Sequence, residues 1–263
     1  MIEEKKLENN PEPVPEKKDN INNEPPITST SFIIQKYIEN PLLINNRKFD
    51  IRVWSLVNHE SECFFFKEGY LRTSSTPFQI DLEDIDNKFV HLTNNAVQKH
   101  SMNYGEFEDG NQMSFLDFQQ YIDQHFTEKK ISVINDIIPS IKNLIKKTLL
   151  SVRKKLNAEN RKYCFEIFGY DFIIDCDFNV WLIEINTNPC LELSSDLLIK
   201  IIPSMVDDAF KLTLDLVFPP IPQYKNPNKK VYSIDNYSDE ENVWYYNEGK
   251  DYVILTIIIS QIY

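Results

Sequence analysis

FEIFGYDFIIDCDFNVWLIEINTNPCLE, residues Phe165 to Glu192, is the stretch on which the reading of this chain turns. Two strand-like runs, Phe168 to Asp175 and Val180 to Asn186, flank the polar turn Cys176-Asp177-Phe178-Asn179, which predicts a β-hairpin. Pairing Asp175 with Val180 sets Asp171 opposite Glu184 on one face, with Asn186 two residues further along it. Directly opposed like charges destabilise a sheet by roughly 0.2–1 kcal/mol, and by more beside apolar Phe172, Trp181 and Ile183. Two readings account for the pair. Either the hairpin is exposed and both acids are solvated, or a hard divalent cation rests on the carboxylate oxygens and the Asn186 carbonyl. Mg²⁺ in such a site usually brings nucleotide phosphates to complete its octahedron.

Upstream, Arg47 to Asn58 (RKFDIRVWSLVN) alternates, so Lys48, Asp50 and Arg52 share one face while Phe49, Ile51 and Val53 take the other. A solvated Lys-Asp-Arg ladder and a functional surface are both compatible with that triplet. The run turns at His59-Glu60-Ser61-Glu62 and returns through Cys63 to Lys67 as a second hairpin. Simple pairing about that turn puts Arg72 on the face opposite Arg52; bringing them together needs a slip or bulge, for which Gly69 is the natural place. Phe32 to Ile38 begins a bounded, buried strand that ends at Glu39-Asn40-Pro41. Thr93, Asn94 and Asn95 suit a helix cap or a phosphate ligand. Ser101 to Asn111 reads as a surface loop, and Ser114 to Phe126 as an amphipathic helix capped by Ser114.

Ile131 to Leu156 is a longer helix that Pro139 kinks or splits, with Ile134, Ile137, Ile141, Ile145 and Leu149 in its apolar stripe. Its other face carries Lys142, Lys146, Lys147, Arg153, Lys154 and Lys155, with Arg161 and Lys162 just after, a local basic surface. Beyond the opening hairpin, Ser194-Ser195-Asp196 caps a helix from Leu197 to Val217, interrupted near Pro203.

The 263 residues, 42% of them hydrophobic, suffice for one domain with a full core plus tails. Residues 1–31 have the composition of a disordered segment, 32–220 form the domain, and 221–263 read as a poorly ordered acidic tail with a short apolar end. A net charge of −12 argues against a general nucleic-acid binder. The four cysteines form no CxxC pair and the four histidines no zinc spacing, which points to reduced thiols in a cytosolic protein. The charged start at Glu3 to Lys6 argues against a signal peptide. Tyr252 to Tyr263 covers about half of the roughly 20 residues a membrane span requires, so a terminal strand is expected there and no membrane partner.

Six short blocks in one order resemble the tubulin–tyrosine ligase and ligase-like family, a branch of the ATP-grasp enzymes. They are QKYIENPLLI (Gln35 to Ile44), RKFDIRVW (Arg47 to Trp54), GYLRTSS (Gly69 to Ser75), HLTNNAVQK (His91 to Lys99), NYGEFEDGN (Asn103 to Asn111) and FGYDFIIDCDFNVWLIEINTNP (Phe168 to Pro189). The resemblance runs from about Phe32 to Pro220 and implies an α+β, ATP-grasp-like fold, a mainly antiparallel sheet with packed helices. It implies that Asp171, Glu184 and Asn186 hold Mg²⁺ and that Gln35, Lys36, Tyr37 and Ile38 line the adenine of ATP. It further implies that Asp50, Thr93 and Asn94 lie around the ribose and phosphates, with Lys48, Arg52 and Arg72 near the transferred phosphate and the acceptor carboxylate. The implied activity is ATP-dependent ligation of an amino acid to tubulin through an acyl phosphate. Tubulin's acidic tail and a free amino acid are then partners, in the cytoplasm on microtubules, cilium or basal body included.

Within the family, His91 to Lys99 looks closer to the tyrosine-ligase and glycylase branches than to the glutamylases. One departure stands out. The family's catalytic unit begins with a region that supplies further phosphate-binding lysines and a glycine-rich loop, and no segment before Phe32 matches it. The expectation is therefore the C-terminal portion of a ligase, lacking the N-terminal part of the fold. The alternative is a family member that binds tubulin or nucleotide and transfers nothing.

Overall fold

The structure, a computed structural model, describes residues 34–80, 86–215, 217–218 and 244–248. Met1 to Ser31 and Tyr252 to Tyr263 lie outside these residues. The chain divides into two units, Met1–Tyr37 and Ile38–Tyr263. In the first, the described residues Ile34 to Tyr37 are exposed, Ile34 at 95%, and pair with no strand. The strand expected over Phe32 to Ile38 is thus not formed among the described residues. Its apolar pattern favours extended backbone, but a strand also needs a partner ladder for its N–H and C=O groups.

The second unit is built on an antiparallel sheet. Its strands among the described residues are β1 (Leu43–Ile44), β2 (Arg47–Asn58), β3 (Cys63–Phe66), β4 (Tyr70–Pro77), β5 (Gln112–Ser114), β6 (Phe165–Ile174), β7 (Val180–Asn186) and β8 (Trp244–Glu248). β2 is the hub. Along one edge it pairs with β3 and then β4; along the other it pairs with β6, which continues to β7. β5 extends the sheet beyond β4, and β8, within the segment read as a tail, extends it beyond β3.

Helices cover both faces. The odd-numbered face of β2 presents Phe49, Ile51, Val53 and Val57 to α3 (Phe115–His125) and α4 (Ile138–Val152), which contribute Phe118, Ile122, Ile141 and Ile145. The even face presents Trp54 and Leu56, with Phe64 and Phe66 of β3, to Leu198, Ile202 and Met205 of α5 (Asp196–Thr213). Every residue of β2 is buried as a result. Two one-turn helices, α1 (Lys88–His91) and α2 (Asn95–Gln98), connect β4 to the loop that precedes β5.

Caps follow the sequence. Ser114 accepts from the Asp117 N–H at the start of α3, and Ser195 from the Leu198 N–H at the start of α5. Two helix expectations are corrected. The long helix is preceded by a π turn, Val133–Ile137, which places Pro139 in the first turn of α4, where a missing N–H costs nothing. That wider turn moves the apolar stripe by one residue, so Val133 is buried and Ile134 is exposed. Pro203 does not interrupt α5, whose 18 residues run through it while Ile201, Ile202 and Met205 remain buried. None of the described helices is long and apolar enough to cross a membrane.

Candidate functional site

The opening hairpin forms, with its register set differently from simple pairing. Ile174 pairs with Val180, and a bulge between Asp171 and Phe172 restores Asp171 opposite Glu184 and Gly169 opposite Asn186. Asp175 instead organises the turn: its carboxylate accepts from the N–H groups of Asp177 and Asn179 and from the Trp181 indole. Burial alone would raise its pKa, and these hydrogen bonds outweigh that and hold it low.

Arg72 stands opposite Asp50, and Tyr70 opposite Arg52, so the two arginines share a face after all. The change of parity lies at the turn, not at Gly69. Three residues, His59 to Ser61, close the hairpin between Asn58 and Glu62, with Ser61 in the left-handed region at φ 64°. The Asn58 side chain stabilises this loop by accepting from the N–H groups of Glu60 and Glu62. Gly69 serves a different purpose. A Cβ there would come within 2.6 Å of the Phe115 ring and 2.8 Å of the Arg52 carbonyl oxygen.

On the even face these strands assemble a buried cluster of charge. Arg52 donates through Nε to Asp171 Oδ1 at 2.5 Å and through Nη2 to Oδ2 at 3.0 Å. Arg72 spans both acids, with Nε and Nη2 on Asp50 at 2.7 and 2.6 Å and Nη2 also 2.9 Å from Asp171 Oδ2. Thr93 donates to Asp50 Oδ2 at 2.6 Å. Asp171 is only 2% exposed and Arg52 5%. The ladder is therefore not solvated: the α1–α2 segment, through Thr93 on Asp50 and the His91 carbonyl on Lys48, bounds a face that alternation alone left open. Burial would push the Asp171 carboxyl up, but the hydrogen bonds and charges of Arg52 and Arg72 outweigh it and hold it below the usual range. Burial pushes the Lys48 ammonium down, offset in part by Asp50; its Nζ donates to the His91 carbonyl at 3.0 Å.

The like-charge clash is thus resolved within the chain. Two guanidiniums neutralise Asp171, and the Asn186 amide bridges to Glu184 Oε1 at 3.1 Å and to Asp171 Oδ2 at 3.4 Å. Glu184 itself is exposed. Among the described residues no three His, Cys, Asp or Glu side chains gather as a metal cluster. The expected set is two carboxylates and one amide; the Asn186 Nδ2 now lies between the acids, so a hard cation there would take the two carboxylates and the Asn186 oxygen only with that amide turned over. Asp171 Oδ1 accepts from Arg52 and retains a lone pair, and Glu184 is open to solvent.

Next to the cluster lies a cleft of about 280 Å³ whose lining includes Arg52, Tyr70, Arg72, Asn94, Lys99 and Glu184. Asn94 takes the N-cap position of α2 without a side-chain capping bond, and Thr93 bonds Asp50 in place of a cap. Gln98, fully buried, fastens this segment. Its Oε1 accepts from the Ser75 N–H, and its Nε2 donates to the carbonyls of Phe89 and Leu92. Gln35, Lys36 and Tyr37 belong to the N-terminal unit, while Ile38 opens the second unit, half-buried.

Sequence reasoning missed the strut formed by the loop before β5. Arg47, 1% exposed, forms a two-pronged pair with Glu108 and bonds Thr73 and the Ser74 carbonyl. Gly110, at φ 59°, lets the loop pass close to Ser194, and Gln112 bonds Ser194 and Ser195. Asn111 is buried, so only part of this segment is a surface loop. Glu108 lies 61 positions from Arg47, a separation at which no local pattern signals a partner.

The model of the tubulin-tyrosine ligase family matches residues 12–226. The chain belongs to that family. Among similar proteins is tubulin glycylase 3B of Tetrahymena thermophila, 40% identical over 188 residues, which are 71% of this chain and 15% of the glycylase. Tubulin glycylase 3D of the same organism is 40% identical over 191 residues, 70% of this chain and 18% of that protein. The mouse protein named probable tubulin polyglutamylase TTLL9 is 38% identical over 167 residues, 63% of this chain and 34% of the relative. The chain therefore spans less than a fifth of the length of these two glycylases. The antiparallel sheet with its few packed helices is the α+β, ATP-grasp-like architecture the resemblance implies.

Proposed function

We propose that this chain carries part of the catalytic region of an ATP-dependent ligase that joins an amino acid to tubulin. The observation that carries the reading is the buried Asp50–Arg72–Asp171–Arg52 cluster beside the exposed acid Glu184 in a family of tubulin ligases. In the proposed reaction a tubulin carboxylate takes up the terminal phosphoryl group of ATP, releasing ADP. The amine of the free amino acid then attacks the acyl carbon, an amide bond forms, phosphate leaves and the amine loses a proton. Asp171, Glu184 and Asn186 would hold Mg²⁺, which when bound supplies positive charge to phosphate oxygens. Lys48, Arg52 and Arg72 provide fixed positive charge where negative charge develops, and Asp50 keeps Arg72 oriented. Thr93 and Asn94 are the proposed contacts to ribose or phosphate oxygens, and Gln35, Lys36, Tyr37 and Ile38 the proposed adenine contacts.

The relatives' names bring glycine and glutamate forward beside the tyrosine suggested by His91 to Lys99. Incubation of the purified chain with ATP, Mg²⁺, tubulin and labelled Gly, Glu or Tyr in separate reactions tests this, with nucleotide binding measured in parallel. Incorporation of one label is expected. Nucleotide binding without incorporation would favour the non-transferring alternative. Its proposed setting is the microtubule cytoskeleton.

A further inference from the structure

Three cations line the cleft, Arg52, Arg72 and Lys99. The two guanidiniums are already matched by Asp50 and Asp171, so beyond the directed N–H donors proposed for the phosphoryl group the buried cluster adds no excess charge for a second anion. Lys99 differs. Its side chain is exposed, and among the described residues no carboxylate pairs with it, including the lining acids Glu184 and Glu192. Its backbone is nonetheless fixed: its N–H bonds Asn95 O at the end of α2, and the preceding Gln98 is the fully buried fastener of that segment. The cleft's volume of about 280 Å³ is just below the usual range of small-molecule sites and suffices for an amino acid or one side chain.

We propose that Lys99 receives the carboxylate of the substrate that enters this cleft. Two sources share that chemistry, the α-carboxylate of the free amino acid and a side-chain carboxylate of the acceptor peptide. A lysine ammonium on a flexible stem acts as a point charge and accepts either. The proposal rests on the ligase reading for its substrates, and equilibrium binding separates the two.

Binding of glycine, of glutamate and of a hexaglutamate peptide to the full chain is measured by calorimetry for the wild type, Lys99→Gln and Lys99→Arg. Mg²⁺–nucleotide affinity and melting temperature are recorded alongside. Lys99→Gln is expected to weaken at least one carboxylate ligand about tenfold, the scale of a charge-assisted hydrogen bond, and Lys99→Arg to retain most of it. Nucleotide affinity and melting stay at wild-type values. Loss confined to the peptide assigns the acceptor carboxylate, and loss confined to glycine and glutamate assigns the free amino acid. The proposal is overturned if the wild type binds none of the three, if Lys99→Gln binds all as the wild type does, or if nucleotide affinity falls by the same factor. Carboxylate binding that depends on Lys99 in a protein that never transfers would sink the ligase reading and leave Lys99 standing.

Discussion

Asp171 and Glu184 face each other across a strand pair, yet their surroundings differ in kind. Asp171 is enclosed and held by two guanidiniums, whereas Glu184 is exposed and touched by the Asn186 amide. Removing a partner from a buried ion pair strands the other charge, so Arg52→Ala should destabilise the fold by about 3–5 kcal/mol in urea unfolding. A loss under about 1 kcal/mol would mean that Asp171 finds other partners. Glu184→Gln keeps shape and removes one of two opposed charges. It should leave the unfolding midpoint unchanged or slightly raised while weakening Mg²⁺–nucleotide binding about tenfold or more in a fluorescence titration. Unfolding of that variant would contradict the metal assignment.

β2 and the strands around it show what was legible in advance and what was not. The alternation of Lys48, Asp50 and Arg52 against Phe49, Ile51 and Val53 was readable because period two is a property of the backbone. The facing of Asp171 and Glu184 was likewise readable, although it arises through a bulge that simple pairing omits. The face chosen by Arg72 was not. It depends on whether a turn closes with three residues or four, and Ser61 in the left-handed region decides that without a glycine to announce it. Burial of the ladder was also hidden, since it comes in part from the α1–α2 segment, distant in sequence. The Arg47–Glu108 strut is of the same kind. Gly69 was singled out as the place for a bulge, but its place is set by crowding. Gly69→Ala should cost about 1–3 kcal/mol of stability, as Phe115, Val53 and the Arg52 carbonyl are all closer than a Cβ tolerates. A variant as stable as the wild type would mean that α3 shifts freely.

At the scale of the whole molecule, pH and charge give two further tests. Asp171 has a folded pKa below the ordinary carboxylate value of about 3.9, so its contribution is complete above about pH 5 and is lost as pH falls through the lowered value. The urea midpoint should therefore drop on acidification below about pH 4, and less steeply in Asp171→Asn, which lacks the titrating group. Parallel curves would show that other carboxylates dominate. The basic surface on α4 and the turn after it is partly committed to the fold, with Lys142 Nζ 5.4 Å from the Phe65 ring centroid. Charge reversal at Lys146, Lys147 and Arg153 should weaken co-sedimentation with microtubules, most visibly at low salt. Unchanged binding would show that tubulin's acidic tail does not use this helix. Finally, a strand buried on both faces has a consequence for genetics. An allele altered at Arg52, Asp50 or Lys48 in β2 loses protein as readily as chemistry, so its phenotype would not tell an absent reaction from an absent polypeptide. Under the proposed reaction the cleaner loss-of-function alleles are those at exposed Glu184 and Lys99, where abundance is expected to stay normal while transfer is lost.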